Sequence, residues 1–453
     1  MNRKTAQPTE AQAAQQGRFS TALRALRVRQ YRNYLIAETV SLIGTWLQFT
    51  GQIWLVVQVL APNDGFMLGV TSAVQSAPIL LTLWGGAIAD SRDKRKVLLV
   101  TQTVSGMVAL GLGLTTWAGA ISLPVVWVAA FVLGMTNSVD SPARQALVAE
   151  LVDDETRPSA VALSSAVFQG TRAVGVGLAP VLVAAWGLPA PFLINALSFG
   201  VVLFILVRMK VRPVVPQADS RRALVREGLS ELRTRPTVMA PLVILAVMAV
   251  FALNFDVTLP LLATNTLHSG LGLTSTLLTV SSIGAVVSSF LIATTRQVTD
   301  RTQRTYVLVL ALSMCALALT RVPWLAIVIM FPLGGAIAAT TASTSTLLLQ
   351  RSEPTMRGRI MSVYGLIMQG SSLIGGLILG ALADPGVWGA PGSLYVGAAA
   401  IGFGVALSLL VLAGRLPLLV AAAVRKRGAG REAGREGDTP RGSAPPEGDT
   451  AET

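Results

Sequence analysis

Between Val97 and Val139, and again between Ala173 and Val207, the chain holds no Asp, Glu, Lys or Arg. Each run is much longer than the ~20 apolar residues that cross a bilayer as one helix. Each also has a turn at its centre, GAISLP in the first and WGLPAP in the second. A pair of helices joined by that turn satisfies every backbone polar group within hydrocarbon, which an extended segment cannot do. Charged residues make up 13% of the chain and hydrophobic residues 52%, whereas soluble domains carry ~25% charge. The expected class is an all-α polytopic membrane protein.

Gly, Pro and charge divide the remainder in the same way. Twelve spans are expected, beginning near residues 34, 67, 97, 123, 159, 189, 238, 273, 305, 323, 360 and 394. Residues 1–33 read as an N-terminal arm with an amphipathic segment, 34–207 as six helices, 208–236 as a basic loop, 237–414 as six more helices, and 415–453 as a largely disordered tail, since no large apolar residue follows Lys426. Within the loop, DSRRALVREGLSELRTRP places Val225, Leu229 and Leu232 on one helical face, as an interfacial helix would.

Of the 36 Lys and Arg, all but Arg172 and Arg321 fall in the arm, the tail and alternate loops. Basic residues collect on the cytoplasmic side of a membrane protein, so both termini are expected there, in a bacterial inner membrane. Topology thus explains the net charge of +13, and no groove-reading or aromatic pattern accompanies it, so nucleic acid is not an expected partner. One cysteine, Cys315, excludes an internal disulfide, and one histidine, His268, leaves little for a metal or for acid–base catalysis. No Gly-Lys pair exists for a phosphate-binding loop, so an ATP-driven pump is disfavoured. No cofactor, metal or catalytic residue is expected.

A repeat appears at an offset of 200. Phe131, Leu133 and Gly134 recur as Phe331, Leu333 and Gly334; Arg157, Gln169, Gly170 and Gly175 recur as Arg357, Gln369, Gly370 and Gly375. Two parallel halves of six spans are what duplication at this offset predicts.

The tip joining the second and third spans reads GGAIADSRDKRK, Gly85 to Lys96. It resembles the loop between helices 2 and 3 of the major facilitator superfamily: Gly86, Asp90, Lys94 and Arg95 match the pattern, while Ser91 replaces a base and Asp93 a glycine. Arg92 supplies a displaced charge. YRNYLIAETVSLIGTWLQ, NSVDSPARQALVAELV, NFDVTLPLLA and RGRIMSVYGLIMQG further resemble the bacterial efflux branch of that superfamily that contains the enterobactin exporter. The resemblance runs from about Tyr31 to Gly414. It implies the major facilitator fold, a midplane cavity, rocking of the halves, and export driven by proton entry. Asp140 would pair with Arg92 or Lys94 as a cytoplasmic latch, with Arg144 on the same face of helix 4, and Asp90 would face the start of helix 11. Gly175, Gly177 and Pro180 partly match the helix 5 antiporter motif.

Several polar groups could carry transport. Glu38, Ser41, Thr45, Gln48 and Gln52 lie at steps of three and four, on one face of the first span, and would line a cavity or bond to neighbouring helices. Ser165, Gln169 and Arg172 repeat the pattern in the fifth. A charge at the depth of Arg172 needs a partner, Glu38 or Asp256, or an anionic substrate group. Asn254 and Asp256 stand in the seventh span, where Asp256 is a proton carrier or an interfacial aspartate. Thr340, Thr341, Ser343, Thr344, Ser345 and Thr346 make the tenth span polar. The expected function is proton-coupled efflux of a small amphiphilic drug or siderophore-like metabolite, with nutrient symport on the same fold as the alternative. Expected partners are the substrate, protons and lipids around a monomer.

Overall fold

A computed structural model of the protein describes residues 24–78, 93–153, 155–209, 235–294, 298–353 and 356–413. Twelve helices follow one another: α1 (Arg29–Leu60), α2 (Gly65–Ser76), α3 (Lys94–Trp117), α4 (Leu123–Leu151), α5 (Arg157–Trp186), α6 (Ala190–Arg208), α7 (Pro236–Thr266), α8 (Leu271–Thr294), α9 (Asp300–Leu319), α10 (Pro323–Arg351), α11 (Arg357–Ala383) and α12 (Gly389–Leu412). No strand occurs among the described residues. Eleven of the helices are long and apolar enough to cross a membrane. The described part of α2 holds 12 residues. The amphipathic segments, the tail and most of the hairpin tip, including Gly86, Asp90 and Arg92, lie outside the described residues.

Both central turns of the charge-free runs end helices where the sequence places them. Gly119 and Gly187 take positive φ, 67° and 79°, directly after α3 and α5, a backbone state that favours glycine. Side chains start other helices: Asp64 accepts from the Met67 N–H at 2.9 Å ahead of α2, and Asp93 from the Arg95 N–H at 3.0 Å ahead of α3. Several helices start a turn earlier than expected, with α1 at Arg29, α9 at Asp300 and α12 at Gly389. In α1 and α9 the added turns, RQYR and DRTQ, are polar, and their free N–H groups need no partner within the apolar core.

The chain ends up with two unlike rims. Arg29, Arg95, Arg157, Arg208, Arg235, Arg351 and Arg357 mark one, the basic end. At the other, Trp117, Trp186, Trp324 and Trp388 are largely exposed, as tryptophans are at a membrane–water boundary. Arg321 alone of the described Lys and Arg lies at this tryptophan end, while Arg172 stands at the middle of α5 and Arg144 within α4.

Helix packing repeats itself. In the first half, α1 packs on α5 and α6, α3 on α4 and α6, and α2 on α4; in the second, α7 packs on α11 and α12, α9 on α10 and α12, and α8 on α10. The repeated glycines are where this becomes atomic. A Cβ on Gly134 would strike the Gln75 carbonyl of α2, and one on Gly334 the Ser281 carbonyl of α8. Gly175 lies against Trp46 and the Ile43 carbonyl of α1, just as Gly375 lies against Asn254 and the Val250 carbonyl of α7. Helices meeting over small residues are the usual solution where lipid removes the hydrophobic drive. The offset of 200 is therefore a structural duplication.

The halves join through two related pairs, α2 with α11 and α5 with α8. Gly65 and Gly69 face Gly376 and Gly380 backbone to backbone. Opposite them, Gly177 lies beside Thr279, whose hydroxyl donates to the Ala173 carbonyl at 3.4 Å. These contacts lie in the half of the molecule nearer the tryptophan end. Towards the basic end, Gly170 of α5 and Gly370 of α11 have no heavy atom within 4 Å of where a Cβ would stand.

Candidate functional site

Two clusters of charge lie inside the helical bundle. The first gathers where α1, α5 and α7 meet, about halfway along α1 and α5. Arg172 of α5 points its guanidinium at Asp256 of α7, with Nη2 to Oδ1 at 3.6 Å, and sits 5.0 Å from the centre of the Trp46 ring of α1. Trp46 in turn packs edge-on against Phe49 and Phe168. Arg172 and Asp256 are both partly buried, at 31% and 28% side-chain exposure. Their contact exceeds hydrogen-bond length. Arg172 Nε, Asp256 Oδ1 and Trp46 Nε1 are all buried without a hydrogen-bond partner, a state that costs about 1–3 kcal/mol per group. Of the two partners expected for Arg172, Asp256 is the one it meets. Among the described residues, the other ion pairs, such as Lys94–Glu150 and Asp300–Arg351, stay within one half, and Arg172–Asp256 bridges the two.

Asp256 owes its position to a break in α7. The helix stops at Ala252 and resumes at Phe255. Asn254 turns its side-chain amide back to donate to the Ala249 and Val250 carbonyls, each at 3.0 Å, so the interruption leaves those acceptors satisfied. The span expected as one helix is thus two segments, and Asn254, a candidate coupling residue by sequence, closes the first of them.

The second cluster lies nearer the basic end, between α1, α3 and α4. Arg144 donates to Glu38 at 3.3 Å and to Asp140. Asp140 also accepts from the Thr101 hydroxyl at 2.6 Å and the Gln102 amide at 2.8 Å, while Glu38 Oε2 has no partner. The expected pairing of Asp140 with Lys94 does not form. Lys94 reaches Glu150 at 3.5 Å because both sit at the ends of α3 and α4, whereas Asp140 is two to three turns deeper. Arg95 donates to the Leu206 and Val207 carbonyls at the end of α6 at 2.6 Å each.

The polar stripe of α1 divides. Glu38, Ser41, Gln48 and Gln52 are buried, and Thr45 is exposed with its hydroxyl on the Ser41 carbonyl at 2.9 Å. Gln48 accepts from Asn195 of α6 at 2.7 Å, an interhelical bond within the half. Of the α10 run, Thr344 accepts from Gln303 of α9 at 2.6 Å, and Ser343 and Thr341 bond to their own helix. Gln169 is half-buried, in the unpacked stretch beside Gly170. Trp46, Thr101, Gln102 and Asn195 were not singled out by sequence. A tryptophan among the stripe residues of α1 was the available signal, whereas nothing local marks Thr101, Gln102 or Asn195.

Comparison with known proteins agrees with this architecture. A family model described as transmembrane secretion effector matches residues 20–427. The chain is 25% identical over 354 residues to the staphyloferrin A transporter of Staphylococcus aureus (strain NCTC 8325 / PS 47), covering 76% of this chain and 86% of that one. It is 27% identical over 219 residues to the multidrug resistance protein MdtH of Salmonella typhi, covering 48% and 50%. Among solved structures, the nucleoside transporter NupG superposes with a TM-score of 0.65 at 13% identity, covering 85% of this chain and 98% of that one. A bacterial homologue of the human lysosomal transporter Spinster gives 0.62 at 15% identity, covering 84% and 97%.

Proposed function

The chain belongs to the transmembrane secretion effector family of the major facilitator superfamily, a membrane transporter, and from that premise we propose that it exports a small amphiphilic molecule in exchange for protons. A drug or a siderophore-like metabolite is the substrate class favoured by the names of two relatives, a staphyloferrin A transporter and a multidrug resistance protein. The segments that resemble the branch of the enterobactin exporter point the same way.

The observation that carries the reading is the Arg172–Asp256 pair, the bridge between the halves at mid-depth. Charge inside a membrane protein is retained for pathways and relays, because an unused charge there is costly. Around it stand Trp46, Phe49 and Phe168, giving an amphiphile both an apolar wall and a polar point.

Orientation follows from the basic end, which faces the cytoplasm by the distribution of Lys and Arg. Contacts between the halves then close the outer side, and the unpacked faces of α5 and α11 lie towards the cytoplasm. Rocking about the α2–α11 and α5–α8 contacts would expose the pair to the two sides in turn. In the second cluster two carboxylates share one guanidinium, and a proton on Glu38 would neutralise the set.

Inverted membrane vesicles energised by respiration test this. Drugs and siderophores are added one at a time while internal acidification is followed. Wild-type protein should release protons in response to at least one compound, and Glu38→Gln or Asp256→Asn should not. Transport without proton movement would remove the coupling, and accumulation in intact cells would turn the direction to uptake by symport.

A further inference from the structure

Hydrogen-bond donors outnumber acceptors around Arg172. Its Nε and the Trp46 Nε1 are two buried donors with no acceptor, against one buried acceptor without a donor, Asp256 Oδ1, which stands 3.6 Å from Arg172 Nη2. A guanidinium presents five donors in a planar fork, of which a carboxylate can take two at once. Asp256 does not do so here. It sits across the junction between the halves, on the segment of α7 beyond the break, and neutralises Arg172 without bonding to it.

We propose that Arg172 and Trp46 recognise a carboxylate group on the transported molecule, with Asp256 as the internal counter-ion that the ligand displaces. The proposal rests on the transporter reading and names the chemical class of its substrate. A ligand carboxylate offers two acceptor oxygens to Arg172 Nε and Trp46 Nε1, the donors that Asp256 leaves unpartnered, in charge-assisted bonds roughly twice as strong as neutral ones. Its apolar portion lies against Phe49 and Phe168, which already pack on Trp46. A cationic ligand is less well served. The face of Trp46 that would attract it is occupied by the Arg172 guanidinium, so an incoming cation meets like charge where aromatic attraction should act.

Three probes of one shape decide between these charges: 2-naphthoate, 2-naphthylmethanol and 2-naphthylmethylammonium. Binding of each is measured to the full-length protein in lipid nanodiscs by equilibrium dialysis. The anion should bind wild type more tightly than either of the others by about tenfold, a difference of ~1.4 kcal/mol. Arg172→Gln should level the three probes, Arg172→Lys should keep part of the preference, and Asp256→Asn should hold or strengthen it, since it frees the guanidinium. Tightest binding of the ammonium probe, equal binding of all three, or no binding of naphthoate by wild type overturns the proposal, and these outcomes need no variant to fold. The transporter reading fails separately, if no compound of any charge crosses in vesicles.

Discussion

Arg144 of α4 holds Glu38 of α1 and Asp140 of its own helix with one guanidinium, at 3.3 Å to the first. Helices α1 and α4 are thereby tied by charge where their apolar contact is slight. Asp140 has Thr101 and Gln102 besides, whereas Arg144 is the ion-pair partner of Glu38 among the described residues.

Removing Arg144 should therefore be severe. Arg144→Gln leaves two carboxylates together inside the bundle, and loss of one partner of a buried pair costs about 3–5 kcal/mol. The expected result is a large fall in folded protein on size-exclusion chromatography in detergent. Adding Asp140→Asn to that variant should recover much of the loss, because the like charges are then gone.

Glu38→Gln should separate coupling from binding. The amide keeps the shape of the side chain and can still accept from Arg144, so exchange of substrate across liposomes at equal pH should persist. Acceleration by an imposed pH gradient should vanish. Equal stimulation of wild type and variant would place the proton elsewhere.

A covalent tie between the halves should stop transport. A Cβ on Gly376 would lie 3.2 Å from the Ser72 Cβ, a little under the usual disulfide spacing of roughly 3.5–4.5 Å, so the α2–α11 contact needs only a slight adjustment. In a Cys315→Ser background, Ser72→Cys with Gly376→Cys should form a disulfide under mild oxidation and arrest substrate movement. Reductant should restore it. Unchanged transport by the cross-linked protein would show that this contact does not open during the cycle.

Asn195→Leu should destabilise without touching the substrate. Its amide nitrogen is the donor to Gln48 at 2.7 Å in a fully buried contact, and an orphaned buried acceptor costs about 1–3 kcal/mol. A lowered melting temperature with unchanged probe affinity is expected; Gln48→Leu added to Asn195→Leu should return part of the loss.

Much of this fold was legible because its signals are local and repeated. The charge-free runs, their central turns and the offset of 200 required no knowledge of long-range contacts, and glycines such as Gly134 and Gly334 kept their spacing because each faces a backbone. The candidate site was legible by type but not by partner. Arg172 announced itself as a charge with nowhere to go, yet which carboxylate it meets depends on how α5 and α7 cross. Asp140 shows the same limit: the partners it has among the described residues, Arg144, Thr101 and Gln102, come from its own helix and from α3, which spacing alone does not reveal. The break at Asn254 is not legible because a polar residue within an apolar span reads equally well as a cavity-lining group, and only the backbone shows that its amide bonds to the Ala249 and Val250 carbonyls.

That break makes the two halves mechanically unequal. In α1 the backbone stays helical from Arg29 to Leu60, widening to π-type turns only over its last six residues, and bending it means separating bonded N–H and carbonyl groups in a medium with no water to receive them. In α7 that separation has already happened, with Asn254 holding the loose carbonyls. The break at Leu253 and Asn254 is therefore where α7 bends at least cost, between Pro236–Ala252 and the segment bearing Asp256. Flexure during transport should thus concentrate in the second half, with Arg172 the fixed post and Asp256 the moving contact of a switch.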